Sequence, residues 1–376
     1  MHVREIQNGP NSSSTAEVSA GPAIPAKVPA HSIPTLDGWR AVAILMVTAF
    51  HASRSIWGDR PDILFIAQFG ALGVDVFFGL SGLLITKLLL EEQDRTGGIS
   101  LKAFYVRRCF RVALPCYFYL AVLYALSFVQ NRLELTSGIL FFRNYLNADF
   151  PGPYTVHLWS LAVEEHFYLL WPPILVLAKV KRGRRVAMWL SVACGLWRIV
   201  CTEFFPSFAS SAYPQFRTDY RMDTLLWGCV VAFVLHESYP HLKRHLTALV
   251  WTAILAAYLL CLVFYSALTR LWMPMLIPLL MAGTVTHPGW KLSRIFDLRP
   301  VRWIGRLSYS LYLWQLLFLV ETSPSSVWWQ QFPVNAILAP ACGGRELLRS
   351  GELDAAAGAP HIVRGVPAGY LPDFKP

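Results

Sequence analysis

The sequence predicts an all-α membrane protein, a polytopic transmembrane bundle of about nine to ten helices. The 376-residue chain is 55% hydrophobic and only 15% charged, whereas soluble proteins carry roughly 25% charged residues. Its mean hydropathy is +0.42. Apolar stretches of about 20 residues, the length that crosses a bilayer, recur along nearly the whole chain. These properties argue against soluble enzymes and secreted scaffolds.

Nine apolar segments are predicted to cross the membrane. A further segment, 134–146, is too short to cross and is expected to be re-entrant or extracytoplasmic. The nine predicted spans are 38–56, 66–90, 112–129, 158–178, 186–205, 221–236, 246–269, 271–286 and 303–320.

Basic residues lie mainly between the apolar segments and account for the formal net charge of +10. With the N-terminus in the cytoplasm, every strongly basic loop, including 179–185, falls on the cytoplasmic side, as the positive-inside rule requires. We therefore expect a protein of the cell (inner) membrane, in contact with membrane lipids and without a nucleic-acid partner.

Composition divides the chain into three parts. Residues 1–34 are rich in Ser, Ala and Pro, lack the features of a secretory signal, and are predicted to be a disordered tail. Residues 35–335 form the membrane domain. Residues 336–376 are an atypical tail of Gly, Ala, Arg and Pro that cannot form a spanning helix. We hypothesise that a reading-frame change or an alternative end has replaced a final helix there.

The cysteines and histidines do not predict a metal site. The seven cysteines include no Cys-x-x-Cys pair and nearly all lie in apolar segments, where they are interpreted as small core residues. His241 and His245 are four residues apart, but no acidic or thiol partner accompanies them.

Ionisable residues inside apolar segments are functional candidates, because each costs roughly 2.5–3.5 kcal/mol at the centre of a spanning helix. Arg40 and His51 are eleven residues apart in the first span. On a helix they share one face and lie about 16 Å apart along the axis. Histidine suits acid–base catalysis near neutral pH. The alternative is that Arg40 marks the cytoplasmic end of the span and His51 its interface.

Asp75 lies in the glycine-rich segment GVDVFFGLSG, which predicts close approach of two helices. A His or Arg of the first span is its expected partner, giving either a structural ion pair or a carboxylate that orients an imidazole. Ser81 in the same segment lacks the second glycine of a G-x-S-x-G nucleophile elbow and is interpreted as a packing serine.

The segment FYVRRCFRVALP carries Arg107, Arg108 and Arg111 before an apolar helix. Arg108 and Arg111 are three residues apart, hence on one helix face. They are interpreted either as positive-inside flanking residues or as an anion site, since guanidinium groups bind phosphate in a bidentate manner.

The segment HLWSLAVEEHFYLLWP places Glu164 and Glu165 in an apolar stretch, where adjacent residues cannot share a helix face. One glutamate is expected to face the protein interior and the other a cavity. Trp159, Tyr168 and Trp171 are predicted to form an aromatic belt at the membrane interface.

Three further charged residues, Arg198, Arg221 and Asp223, lie in or at the head of apolar stretches. They are predicted to form buried pairs that fix helix packing.

The sequence resembles the membrane-bound acyltransferase 3 family, whose best-studied members O-acetylate bacterial lipopolysaccharide and other surface glycans. The resemblance covers roughly three quarters of the chain, from Leu36 to about Leu319. Five blocks match in order: LDGWRAVAILMVTAFH; GVDVFFGLSGLLIT; FYVRRCFRVALP; HLWSLAVEEHFYLLWP; and RMDTLLWG with the later WIGRLSYSLYLW.

By position, the resemblance assigns roles to the candidate residues and implies a bundle of about ten helices. The matched positions are Arg40 and His51 as the pair needed for activity, Asp75 as the second-helix acid, Arg107, Arg108 and Arg111 as the basic cluster, and Glu164 or Glu165 as the acidic position. Two departures stand out. Gln315 replaces a frequent histidine, and the usual closing helix is absent.

The expected function is O-acyl transfer, of acetyl in the first instance, from a cytoplasmic acyl-CoA to a hydroxyl of an envelope glycan or lipid-linked carbohydrate such as lipopolysaccharide O-antigen. His51 would be the general base and Asp75 would orient it. Arg40 and the basic cluster would bind the donor, and Glu164 or Glu165 would shape the acceptor side. No bound cofactor or metal is expected. Two alternatives remain: an exporter of a small organic acid or acylated intermediate, and a truncated, inactive family member.

Overall fold

The computed structural model describes residues 33–57, 61–146, 152–205, 216–264 and 266–319. All regular secondary structure within these ranges is helical, in agreement with the predicted fold class. The predicted C-terminal tail 336–376 and all but the last two residues of the predicted N-terminal tail lie outside the described residues.

Thirteen α-helices make up the described part of the chain. They are α1 (Pro34–Trp57), α2 (Pro61–Thr96), α3 (Leu101–Arg108), α4 (Leu114–Ala125), α5 (Arg132–Ile139), α6 (Leu158–Ala178), α7 (Val180–Phe204), α8 (Thr218–Glu237), α9 (Tyr239–His245), α10 (Ala248–Val263), α11 (Ala267–Thr286), α12 (Lys291–Phe296) and α13 (Arg299–Phe318). A π-helical turn, Cys109–Ala113, joins α3 to α4, and a 3-10 turn covers Arg143–Tyr145.

Three helices in the described ranges are long and apolar enough to cross a membrane: Leu72–Thr96, Leu158–Ala178 and Val180–Phe204. A fourth results if α9 and α10, which are bent by 77°, count as one span. The predicted count of nine to ten spans is therefore not confirmed. Two predicted spans correspond to shorter helices: α4 has 12 residues after the π-helical turn, and α10 has 16.

Helices α2 and α8 cross in backbone contact at glycines. A Cβ atom on Gly82 would lie 1.8 Å from the carbonyl oxygen of Leu225, and one on Gly228 would lie 2.4 Å from that of Gly79. No side chain fits at either position, so the glycines allow the two backbones to touch. The close helix approach predicted from the glycine-rich segment is confirmed, with α8 as the partner.

Helix α1, which carries Arg40 and His51, is packed closely on two sides. A Cβ atom on Gly73 of α2 would lie 2.5 Å from the Ala43 carbonyl oxygen, and one on Gly305 of α13 would lie 1.9 Å from that of Asp37. These contacts hold α1 between α2 and α13. Its polar side chains are therefore held within the bundle.

The aromatic side chains of α6 correct the predicted membrane-interface belt. Trp171 is 1% exposed and donates from Nε1 to the Thr86 hydroxyl over 2.9 Å, and Tyr168 is buried as well. Both residues pack in the same core as Phe167. The predicted belt was wrong for Tyr168 and Trp171 because an aromatic ring with a polar atom suits a membrane interface and a buried hydrogen bond equally well.

The cysteines of the described ranges are free. Cys116, Cys201, Cys229 and Cys261 are buried, as expected of small core residues, whereas Cys109 in the π-helical turn is exposed.

Candidate functional site

Glu164 of α6 is the acceptor in a small hydrogen-bonded network. Ser81 of α2 donates to its Oε1 over 2.7 Å, and the Tyr168 hydroxyl lies 3.2 Å from its Oε2 and 3.2 Å from Ser81 Oγ. The single Tyr168 proton serves one of these two acceptors at a time. Ser81, interpreted from the sequence as a packing residue, therefore joins α2 to the acidic position of α6.

Arg108 packs against this network. Its guanidinium group lies 4.8 Å from the centroid of the Tyr168 ring and 5.7 Å from that of Phe104, within the range of cation–π attraction. It also interacts electrostatically with Glu164 and Glu165. One basic and two acidic residues predicted from the sequence thus come together.

Arg40 reaches the same region from α1. Its Nη1 lies 3.3 Å from Oδ1 of Asp37, one helical turn earlier. It also interacts electrostatically with Arg108, Arg111 and Tyr168. Guanidinium groups from α1, α3 and the π-helical turn therefore converge. We call this set the arginine cluster, made up of Arg40, Arg108, Arg111, Ser81, Glu164 and Tyr168.

The π-helical turn separates the arginines that a regular α-helix would place on one face. Arg108 is half-buried against Tyr168, whereas Arg111 is exposed, because the π-helical turn contains more residues per turn than an α-helix. Arg107 is exposed and its Nη2 lies 3.4 Å from Oε2 of Glu92. The structure thus brings Arg108 and Arg111 towards Arg40, while Arg107 pairs at the end of α2.

Glu165 has different surroundings from its neighbour. Its Oε1 atom is buried and has no hydrogen-bond partner among the described residues, whereas both oxygens of Glu164 have one. The two adjacent glutamates therefore differ in their hydrogen bonding, whereas a cavity at either one stays a prediction. Glu164 lies with the arginines.

A second polar group gathers around His157, the residue before α6. His157 is 2% exposed and its ring centroid lies 5.2 Å from that of Tyr312 and 5.7 Å from that of Tyr119. The Tyr312 hydroxyl donates to the His157 carbonyl oxygen. Ser160 Oγ lies 2.6 Å from the Tyr312 hydroxyl oxygen and donates to it, since the tyrosine proton is already used.

His51 belongs to this second group. His51 and His157 interact electrostatically. Thr48, one helical turn before His51, donates to Gln315 Oε1 of α13 over 3.4 Å. We call this set the histidine cluster, made up of His51, His157, Ser160, Tyr312, Gln315 and Thr48. Helix α1 therefore links the two clusters, which are separated along its axis by about 16 Å.

Asp75 does not pair with α1, and the predicted partner from the first span is wrong. Its carboxylate pairs with Arg221 of α8. The guanidinium group of Arg221 also lies 5.7 Å from the ring centroids of Phe78 and Trp159. Since α2 touches α8 through backbone atoms nearby, Asp75 reaches α8 first. Arg40 already pairs with Asp37.

A second buried ion pair joins α7 to α8. The Nη2 atom of Arg198 in α7 lies 2.7 Å from Oδ2 of Asp223, whose side chain is 1% exposed. Of the buried pairs predicted among Arg198, Arg221 and Asp223, the pair of Arg198 with Asp223 exists, whereas Arg221 pairs with Asp75 of α2 and not with its near neighbour Asp223. The two ion pairs join the helices α2, α7 and α8.

Sequence reasoning missed Tyr168 and His157 as site residues. Tyr168 lies four residues after Glu164, so helical periodicity places both on one face and was a usable signal. His157 begins the same sequence block but precedes the helix, and no periodicity connects it to His51.

The described residues contain no group of three or more His, Cys, Asp or Glu side chains placed to hold a metal ion. The rings of His241 and His245 lie 4.5 Å apart in the exposed helix α9.

Comparison with known proteins identifies the class to which this fold and these clusters belong. The sequence model of the acyltransferase 3 family, described as an acyltransferase domain, matches residues 33–339. The chain therefore belongs to the acyltransferase 3 family, a family of transferases, and the predicted resemblance is confirmed. Together with the apolar helices, this makes it a membrane protein.

Particular relatives are known from several bacteria. The chain is 32% identical to the peptidoglycan O-acetyltransferase OatA of Listeria monocytogenes, over 78% of this chain and 50% of the relative. It is 30% identical to a putative O-acetyltransferase of Staphylococcus aureus (75% and 50%) and 28% identical to the putative peptidoglycan O-acetyltransferase YrhL of Bacillus subtilis (78% and 49%). The chain spans about half the length of these relatives. No solved structure matches it significantly.

Proposed function

We propose that this chain is an O-acyltransferase that moves an acyl group, acetyl in the first instance, from a cytoplasmic acyl-CoA to a hydroxyl of a cell-envelope carbohydrate. The observation that carries the proposal is that one helix, α1, bears Arg40 in the arginine cluster and His51 in the histidine cluster. In this proposal, α1 carries both the anion-binding Arg40 and the general base His51.

The arginine cluster is the proposed donor site. Arg40, Arg108 and Arg111 together carry three guanidinium groups, which bind phosphate oxygens in a bidentate manner. The exposed Arg111 and the half-buried Arg108 would meet the phosphates of CoA as the donor arrives. The thioester end must then reach His51 about 16 Å away, a role for the extended pantetheine arm of CoA.

His51 is the proposed catalytic base. The acceptor hydroxyl oxygen attacks the thioester carbonyl carbon while its proton passes to the His51 imidazole. The carbon–sulfur bond then breaks, and the departing CoA thiolate takes the proton from the imidazolium. The products are an O-acyl ester and CoA with a free thiol. General base catalysis of this kind contributes typically 10²–10⁴-fold to the rate.

The remaining charged candidates have supporting roles in this scheme. Glu164 faces Arg108 and is held by Ser81 and Tyr168, so we assign it to positioning the donor site. Asp75 is assigned to holding Arg221 and not to orienting His51.

Peptidoglycan is the acceptor to test first. Two of the relatives carry peptidoglycan O-acetyltransferase in their names, which favours its glycan over lipopolysaccharide O-antigen as the hydroxyl-bearing substrate. We propose peptidoglycan glycan as the acceptor of the present chain as well.

The test is transfer of labelled acetyl from acetyl-CoA to purified peptidoglycan glycan, in membranes containing wild-type chain, Arg108→Ala or Arg244→Ala. Arg244 is an exposed arginine of α9 and serves as the matched control. We expect transfer by wild type and a KM for acetyl-CoA raised about tenfold or more in Arg108→Ala only, since a charged hydrogen bond contributes about 1.5–3 kcal/mol. Absence of transfer by well-inserted wild type, or equal KM values in both variants, would overturn the proposal.

A further inference from the structure

Two side chains of the histidine cluster carry buried polar atoms that no described residue satisfies. His157 is 2% exposed and Gln315 is 1% exposed. The Nε2 atom of Gln315 has no hydrogen-bond partner among the described residues, and the ring nitrogens of His157 make no well-formed hydrogen bond there, although the Leu313 backbone interacts with the ring. An unsatisfied buried polar group costs about 1–3 kcal/mol, so such groups call for an explanation in a native protein.

His157 and Gln315 both lie near Tyr312 in the helix bundle. Tyr312 of α13 donates to the His157 carbonyl oxygen, and the two rings lie 5.2 Å apart. Gln315 follows Tyr312 by three residues on α13, so the two side chains share a helix face. Tyr312 therefore contacts His157 and is followed by Gln315 on the same face of α13.

This place adjoins the proposed base. Gln315 uses its Oε1 atom to accept from Thr48 of α1, which leaves Nε2 as a free donor. Thr48 and His51 are one turn apart and share a face of α1. His157 is linked to the proposed base as well, because it interacts electrostatically with His51.

The chemistry of these atoms matches a hydroxyl. The Gln315 amide nitrogen only donates, whereas a neutral imidazole offers one donor and one acceptor. A sugar hydroxyl both donates and accepts, so it satisfies either group. The arginine cluster lies at the level of Glu164, two turns or about 10 Å further along α6 from His157.

We propose that His157 and Gln315 bind the acceptor carbohydrate, through hydrogen bonds to its hydroxyl groups, next to His51. This inference rests on the proposed function and extends it with a second substrate site. His157 and Gln315 are binding residues in this account, and His51 remains the base.

Binding of the acceptor alone tests the proposal without acyl transfer. The probe is the N-acetylglucosamine–N-acetylmuramic acid disaccharide released from peptidoglycan, added to detergent-purified full-length chain without acyl-CoA. A ligand that binds the folded state raises its melting temperature. We expect this rise in wild type and in the matched control Gln93→Met, a partly exposed glutamine at the end of α2, and its loss in Gln315→Met.

The melting temperature of Gln315→Met without ligand distinguishes a binding role of Gln315 from a structural role. Gln315→Met removes the unsatisfied Nε2 donor together with the long bond from the half-buried Thr48 to Oε1, and it keeps a side chain of similar size. The two changes oppose each other, so the variant without disaccharide should melt near the wild-type temperature. A variant that melts well below wild type would show that the amide is structural and would overturn the proposal.

Kinetics provide the second readout. We expect Gln315→Met and His157→Phe to raise the KM for acceptor glycan about fivefold or more and to leave the KM for acetyl-CoA unchanged, with the exposed His241→Phe as a control. Equal effects on both KM values, or no effect on the acceptor KM, would contradict the inference while leaving acyl transfer established. No transfer by wild type would instead count against the proposed function, and the binding assay would still decide the acceptor site.

Discussion

Asp75 of α2 and Arg221 of α8 form an ion pair between residues 146 positions apart in the chain. The pair lies two helical turns, about 10 Å, before the contact of the two helices at Gly82 and Gly228. The Arg221 guanidinium group also lies 5.7 Å from the ring centroids of both Phe78 and Trp159. Electrostatics and close backbone packing therefore stabilise the same helix crossing.

Removing one partner of this pair should destabilise the protein strongly. Asp75→Ala leaves Arg221 largely buried without its counter-charge, and the expected loss is about 3 kcal/mol, near the lower end for buried pairs because both side chains retain some exposure. The measurement is the melting temperature in detergent. Asp75→Ala/Arg221→Ala should recover part of the loss. Strictly additive effects would show that the two charges do not interact.

The sequence predicted which residues matter better than it predicted their partners. The positions of Asp75 and Glu164 followed from the cost of charge in an apolar helix, and the glycines of α2 predicted a close crossing. The identity of Arg221 as the partner of Asp75 could not be predicted, because it depends on which helix α2 crosses. The π-helical turn that separates Arg108 from Arg111 has no signature in residue spacing.

The glycine crossing predicts an effect of a single methyl group. Gly228→Ala would place its Cβ atom 2.4 Å from the Gly79 carbonyl oxygen, so α2 and α8 must move apart. We expect a large drop in melting temperature and in correctly inserted protein. The matched control is Gly98→Ala, where a Cβ atom meets nothing within 4 Å. Similar melting temperatures for the two variants would show that the crossing tolerates separation.

Tyr168 offers a test of how the proposed donor site is held. Its ring lies 4.8 Å from the Arg108 guanidinium group, and its hydroxyl lies beside Glu164. Tyr168→Leu removes the cation–π contact, so the KM for acetyl-CoA should rise about threefold, corresponding to 0.5–1 kcal/mol. Tyr168→Phe keeps the ring and should leave this KM near the wild-type value. If both variants raise the KM equally, the hydroxyl and not the ring positions Arg108.

Glu134 predicts a pH dependence of stability. Burial raises the pKa of this α5 carboxyl group, although the hydrogen bond from Thr155 over 2.5 Å and the charge of Arg143 partly oppose the shift. The folded protein thus holds the proton more tightly than the unfolded chain. The associated stability is present below the ordinary carboxyl pKa and is lost as the pH rises through the raised pKa.

Glu134→Gln removes that dependence, because a neutral amide can still accept the Thr155 hydrogen bond. We expect the variant to melt above wild type at neutral pH and close to wild type at pH values below the ordinary carboxyl pKa. The measurement is a series of melting temperatures across this pH range. A difference between the two proteins that stays constant with pH would contradict the assignment.

The central claim is that His51 removes the proton from the acceptor hydroxyl during acyl transfer. The most direct measurement is incorporation of labelled acetyl from acetyl-CoA into peptidoglycan glycan by membranes that contain wild type or His51→Ala at equal inserted levels. The account predicts label with wild type and a rate lower by about 10²–10⁴-fold with His51→Ala. Full transfer by His51→Ala would contradict it.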